Sequence, residues 1–175
     1  DCILPARERL DLLPSARLDR VNAALYREPD VSRFLHEKFR GLEELGYDRV
    51  IVDCGPQRSR INDAVLYFVD GVIVPVQVEA AAVRAVGNIY EYLSDLGLDA
   101  GMVRMVVPNM YDQRTSEGKE NLEFIREFFA DADIVTEPIQ RRVRITESGK
   151  LGKTVYEYDR EASRQFEQIV ERLAR

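Results

Sequence analysis

The sequence predicts an α/β protein: a three-layer, mainly parallel twisted sheet with helices on both faces. Two observations predict it. Short β-branched runs bounded by turn residues alternate with segments whose apolar residues recur at helical spacing, the order produced when crossover helices cover a parallel sheet. The strand-like runs are also nearly continuous in apolar residues, as strands buried on both faces are.

The first strand candidate is Leu10 to Leu13, closed by Pro14, whose missing N–H ends a ladder. A helix is predicted next, because Phe34, Leu35, Lys38, Phe39, Leu42 and Leu45 keep helical spacing until Gly46. Arg49-Val50-Ile51-Val52-Asp53 and Gly71-Val72-Ile73-Val74-Pro75-Val76 are the second and third strands, and Met102 to Val107, ending at Pro108, is the fourth. Between the last two, Val83, Val86, Ile89, Tyr90 and Leu93 mark a helix that stops before Gly97. Leu122, Ile125, Phe128 and Phe129 mark another, and Phe166, Ile169, Val170 and Leu173 a C-terminal one, both expected to pack on the sheet. Ser148-Gly149-Lys150-Leu151-Gly152-Lys153 reads as a glycine-rich irregular piece. With no repeat and no Pro/Gly/Ser linker, residues 1–175 are expected to form a single domain.

Composition narrows the function classes. A chain of 175 residues, 45% hydrophobic, can bury one real core. Its 31 acidic against 25 basic residues, a net charge of −6, exclude a surface coated throughout with nucleic-acid-binding charge but leave room for a local basic patch. No run reaches the roughly 20 apolar residues of a membrane span and no signal-like segment opens the chain, so the expectation is a soluble, cytoplasmic protein. Cys2 and Cys54 form no Cys-x-x-Cys pair and His36 is the single histidine, which argues against zinc sites, disulfides and histidine-assisted nucleophiles.

Ligands of open parallel sheets bind beyond the carboxyl ends of the strands, so polar residues that directly follow apolar runs are the first candidates. Asp53 follows Val50-Ile51-Val52 and precedes Cys54-Gly55-Pro56. A carboxylate there suits magnesium, which takes one carboxylate, waters and substrate phosphates, and it suits a turn cap equally well. Asn109 follows Val106-Val107-Pro108; its amide can pair with a purine edge or cap the next segment. Residues 141–153 carry Arg141, Arg142, Arg144, Lys150 and Lys153 against one acid, Glu147. Such a cluster can hold phosphate oxygens without reading bases, or it can be a solvated loop paired with Glu157 and Asp159.

Tyr47-Asp48-Arg49-Val50-Ile51-Val52-Asp53-Cys54-Gly55-Pro56, followed by Asp70-Gly71-Val72-Ile73-Val74-Pro75-Val76-Gln77-Val78-Glu79, resembles the later part of the ParA/Soj chromosome and plasmid partition ATPases. Val106-Val107-Pro108-Asn109-Met110-Tyr111-Asp112-Gln113-Arg114-Thr115 resembles the family's segment after the next strand. Val143-Arg144-Ile145-Thr146-Glu147-Ser148, Gly152-Lys153 and Glu157-Tyr158-Asp159 resemble its C-terminal signature, and Leu12-Leu13-Pro14-Ser15 its short strand ending in Pro-Ser. The motifs occur in the family's order across nearly the whole chain.

The resemblance implies a deviant P-loop NTPase-like fold whose complete form binds ATP and magnesium, dimerises, binds DNA without sequence preference and is stimulated by a ParB-like partner. The implied setting is cytoplasmic and nucleoid-associated, with no membrane. It makes Asp53 the Walker B-type aspartate near magnesium, Asn109 and Pro138 the cofactor-binding positions, and Arg114 and Arg144 DNA contacts supported by Arg141, Arg142 and Lys150. The family's Lys-Gly-Gly-x-Gly-Lys-Thr loop and Asp-x-Gln switch are not among these residues, and Gly149 to Thr154 cannot stand in for them. Without the amides and lysine that cradle phosphates, the 175 residues alone are expected to lack ATPase activity, with no catalytic residue assigned and nucleotide not necessarily bound. The family's strand feeding that loop lies beside Val50 to Asp53, so an uncovered edge at Val50 and Ile73 is expected. A non-catalytic DNA-binding or interaction module derived from the family is the alternative. A membrane-associated division-site relative is the third, disfavoured because Ser163 to Arg175 lacks a basic amphipathic tail.

Overall fold

A computed structural model describes residues 2–174, with the side chains of residues 81–86 outside the description; Val83 and Val86 of the predicted helical stripe fall there. The chain divides into two compact units, residues 1–69 and 70–175.

The first unit opens with a hairpin in which β1 (Leu4–Arg7) pairs antiparallel with β2 (Leu10–Leu12) through a turn that holds Arg9 at a φ of 59°. The run predicted as a strand of a parallel sheet is therefore the second arm of a hairpin, because the backbone groups it finds are those of its immediate neighbour in sequence. Three helices, α1 (Leu18–Leu25), α2 (Phe34–Lys38) and α3 (Arg60–Phe68), then bury Leu25, Val31, Leu35, Ala64 and Val65 in one core. Ser59 caps α3 by accepting from the Asn62 N–H at 3.3 Å. The predicted helix ends early, since only Leu42–Leu45 continues it as a 3₁₀ turn between Gly41 and Gly46, both at positive φ.

Val50 to Asp53 departs most from expectation. It joins no ladder among the described residues, and Ile51 is 81% exposed and Val50 53%. A β-branched run becomes a strand only when a neighbour completes its hydrogen bonds and covers its side chains. Val50 and Ile51 are thus uncovered as expected, but on a segment outside any described sheet rather than on a strand edge.

The second unit holds the parallel sheet. β3 (Val72–Gln77) pairs parallel with β4 (Val103–Asn109), with α4 (Ala80–Asp95) as the crossover. Beyond β4 runs a third parallel segment: Val106 bridges Val135 and Tyr111 bridges Gln140. Thr136 N–H donates to the Val106 carbonyl, Ile139 N–H to that of Pro108, and Tyr111 N–H to that of Ile139. β4 is thus central and buried along Val103 to Pro108 apart from Arg104, whereas on the edge strand β3 Ile73 is exposed, the second open edge expected.

Period-two alternation sends Met105 and Val107 to one face of β4 and Val106 to the other. Met105 and Val107 meet Ile139 in a core completed by Ile145 of α6 (Val143–Lys150), Phe166, and Ile169 and Leu173 of α9 (Glu167–Ala174). Val170, predicted in that stripe, is exposed. α5 (Ser116–Phe128) packs on α4 and buries Leu122 and Ile125, with Phe129 just beyond its end. Ser148 to Lys150, predicted irregular, is the last turn of α6, and only Gly152 takes a positive φ. α7 (Val155–Tyr158) and α8 (Arg160–Ser163) link α6 to the C-terminal helix.

Candidate functional site

Asp53 lies in the first unit. It is exposed on the extended run ahead of α3, and Asn62 secures the loop behind it by donating from Nδ2 to the carbonyls of Gly55 at 2.9 Å and Gln57 at 2.7 Å. Its carboxylate has no hydrogen-bond or ion-pair partner among the described residues. No cluster of three or more His, Cys, Asp or Glu gathers among the described residues either. The donor set is therefore one hard carboxylate, which fits magnesium completed by water and phosphate and does not fit an all-protein cage.

The carboxyl end of the sheet lies in the second unit. There Asn109 ends β4, and the hydrogen bond from Ile139 N–H to the Pro108 carbonyl at 2.8 Å sets Pro138 on the adjacent segment. The ladder thus brings the two predicted cofactor positions to neighbouring strands at one edge. Asn109 Oδ1 accepts from its neighbour Met110 N–H at 2.8 Å, with Met110 held at a φ of 55°, and its amide NH₂ has no partner among the described residues. Pro138 has no N–H to give, so the ladder skips it. Gln168 and Gln165 serve the outer edge instead, accepting from Glu137 N–H and Gln140 N–H, each at 2.7 Å.

The predicted arginines all lie in this same unit. The bridge of Tyr111 to Gln140 aligns the loop carrying Arg114 with the segment entering α6. Arg114 grips Asp112: its backbone N–H and Nε donate to Oδ1 at 3.0 and 2.8 Å, and Nη2 to Oδ2 at 2.6 Å. These bonds, with smaller help from the charge of Arg141, hold the Asp112 carboxyl far below the usual carboxylate range. Arg142 pairs with Glu161 at 3.1 Å. Arg144 donates from Nη1 to Tyr158 Oη at 3.3 Å and Glu147 Oε2 at 3.2 Å, and lies 3.8 Å from Asp159. Tyr158 in turn donates to Glu147.

Counting charges along residues 141–153 misses Asp112 and Glu161, which the fold delivers to the cluster beside the expected partner Asp159. Glu157, the other expected partner, instead completes a capping box with Thr154. Asp112 and Tyr158 are the residues that sequence reasoning did not single out; the Asp-x-Arg spacing was the available signal for the first. The arginine side chains of these pairs are solvent-exposed, so water screens the pairing and the acids orient the guanidinium groups at little energetic gain.

A family profile described as AAA domain matches residues 1–100. The sporulation initiation inhibitor protein Soj of Bacillus subtilis is 31% identical over 158 residues, which covers 87% of this chain and 61% of that protein. The chromosome-partitioning ATPase Soj of Thermus thermophilus is 31% identical over 67% of this chain and 48% of its own length. The chromosome partitioning protein ParA of Caulobacter vibrioides is 28% identical over 86% and 58%. The chain thus spans about half to three fifths of these relatives. Among solved structures, apo McdA from Cyanothece superposes with a TM-score of 0.84 at 21% identity, covering 99% of this chain and 72% of that one. An ATP complex of an McdA variant superposes with a TM-score of 0.83. These likenesses show the fold. No helix among the described residues is long and apolar enough to cross a membrane.

Proposed function

The chain belongs to the AAA domain family, in its ParA/Soj-type partition branch, and on that premise we propose that it serves in DNA segregation. Its complete form is an ATP-dependent, dimerising ATPase that binds DNA without sequence preference and answers to a ParB-like partner in the cytoplasm, on the nucleoid.

The observation that carries it is the parallel ladder at the end of β4. One sheet edge presents Asn109 and Pro138, and beside them the arginine-bearing loops at 112–114 and 141–144. Sheet edges of this kind are where α/β proteins take nucleotides. Asn109 brings a free amide for a purine edge and Pro138 a flat apolar surface. Asp53 would hold magnesium, which when bound shields phosphate charge. Arg114 and Arg144 meet DNA phosphates, with Arg141, Arg142 and Lys150 adding charge around them. The phosphate-cradling loop is absent from these residues, so the 175-residue chain alone does not turn over ATP.

The experiment uses the natural full-length protein. Fluorescent ATP should bind in a magnesium-dependent manner, weakened by Asp53→Asn and by Asn109→Ala. Generic duplexes of unrelated sequence should lose affinity about equally in Arg114→Glu and Arg144→Glu, with the logarithm of affinity falling linearly with that of salt. Unchanged duplex affinity in both arginine variants, at low salt with ATP present, rejects the DNA surface. Turnover of ATP by the 175-residue chain, abolished by Asp53→Ala, rejects the statement that it is inactive alone.

A further inference from the structure

The sequence set Phe128 and Phe129 on the inward stripe with Leu122 and Ile125, and the aromatic residues follow it only in part. Phe129 is 4% exposed, yet Phe124 and Phe128, one helical turn apart, are 47% and 50% exposed. Their rings stack at 6.4 Å and 23°. Beneath them Phe129 meets Phe128 edge-on at 4.9 Å and Tyr90 of α4 at 5.8 Å, so the exposed pair stands on an aromatic floor. Single exposed apolar residues need no explanation, but a contiguous, pre-ordered aromatic pair is the kind of surface that anchors a partner.

Among the described side chains, α5 rims the pair with acids. Glu120 lies a turn before Phe124, Glu127 a turn after it, and Asp131 follows Phe128; all three are exposed and carry no ion pair among the described residues. The nearest α5 cation, Arg126, is committed to Glu137 at 3.0 Å, and Lys119, five positions before Phe124, falls on another side of the helix. We propose that the Phe124–Phe128 face of α5 docks a cationic amphipathic protein segment, one that places large apolar side chains over the two rings and lysines or arginines against Glu120, Glu127 and Asp131. Apolar anchoring sets the affinity, and the acidic rim excludes acidic partners and speeds encounter. The inference does not depend on the DNA surface, whose residues lie on other elements.

The test titrates the full-length protein with labelled synthetic helical peptides: one of leucine and lysine, one with glutamate for lysine, and one with serine for leucine. Only the leucine–lysine peptide should bind, and more weakly as salt rises. Phe124→Ser combined with Phe128→Ser should lower its affinity about tenfold or more, and Glu120→Lys combined with Glu127→Lys should reverse the preference between lysine and glutamate peptides. Both phenylalanines are half exposed, and thermal melting checks that the double variant folds; the charge variant sits on the solvent face and carries the test if it does not. Equal binding of lysine and glutamate peptides, no binding, or indifference to both double variants overturns the proposal. So does sedimentation showing that the phenylalanine variant converts a dimer to a monomer while the peptide leaves that dimer intact, which would assign the face to self-association.

Discussion

Gln168 grips both backbone polar groups of Glu137: its Oε1 accepts from the Glu137 N–H at 2.7 Å and its Nε2 donates to the Glu137 carbonyl at 2.9 Å. A side-chain amide here does the work of an adjacent β-strand for the residue before Pro138. Gln165 repeats the acceptance at Gln140, and Arg172 donates to the carbonyls of Asp133 and Val135 at 3.0 and 3.4 Å. A row of side chains from the C-terminal helical stretch thereby seals the outer edge of the sheet.

Gln168→Ala should therefore destabilise the protein by about 1–3 kcal/mol, because it strands one donor and one acceptor of the edge segment. Gln168→Glu keeps the acceptor but sets a carboxylate against the Glu137 carbonyl, and should recover only part. Thermal unfolding measures the loss, and amide exchange should accelerate at Glu137 above all.

Gly118 meets a tight wall. A methyl group there would lie 2.7 Å from the Asp112 carbonyl and 2.8 Å from Thr115 Oγ1, which itself caps α5 by accepting from Gly118 N–H. Gly118→Ala should cost about 1–3 kcal/mol through this overlap rather than gain helix propensity. A higher melting temperature in the alanine variant would refute it.

The Asp112 carboxyl should titrate well below an ordinary aspartate, whose midpoint is about 3.9, and Arg114→Ala should return it toward that value. A carboxyl whose folded pKa is depressed contributes stability that is complete above the unfolded pKa and is lost as pH falls through the folded one. The stability difference between wild type and Asp112→Asn should accordingly be constant near neutrality and shrink only below about pH 4. Carboxyl chemical shifts followed by NMR, together with acid unfolding curves, check both statements.

Asn62→Ala should release the loop behind Asp53, since one side-chain amide bridges the carbonyls of Gly55 and Gln57. Amide exchange over residues 55–58 should quicken while α3 stays protected, because Ser59 remains its cap. Unchanged exchange in that loop would contradict the bridging role.

The parallel pair of Val72–Gln77 and Val103–Asn109, the helix between them and the ordered motifs around Asp53, Asn109 and Arg144 were all legible in the sequence. Each rests on local periodicity or on the order of residue types, and those survive any change of neighbour. Tertiary structure decided the rest. Leu10 to Leu12 became half of a hairpin and Val50 to Asp53 stayed out of any described ladder, because strand formation depends on which backbone lies alongside. Phe128 and Val170 carry the helical period of core residues yet face outward, since periodicity names a face and not what covers it. The basic segment 141–153 met the expected Asp159, but Asp112 and Glu161 joined it only in three dimensions, because Coulomb attraction acts through space and a charge count along the chain cannot see which acids the fold brings within reach.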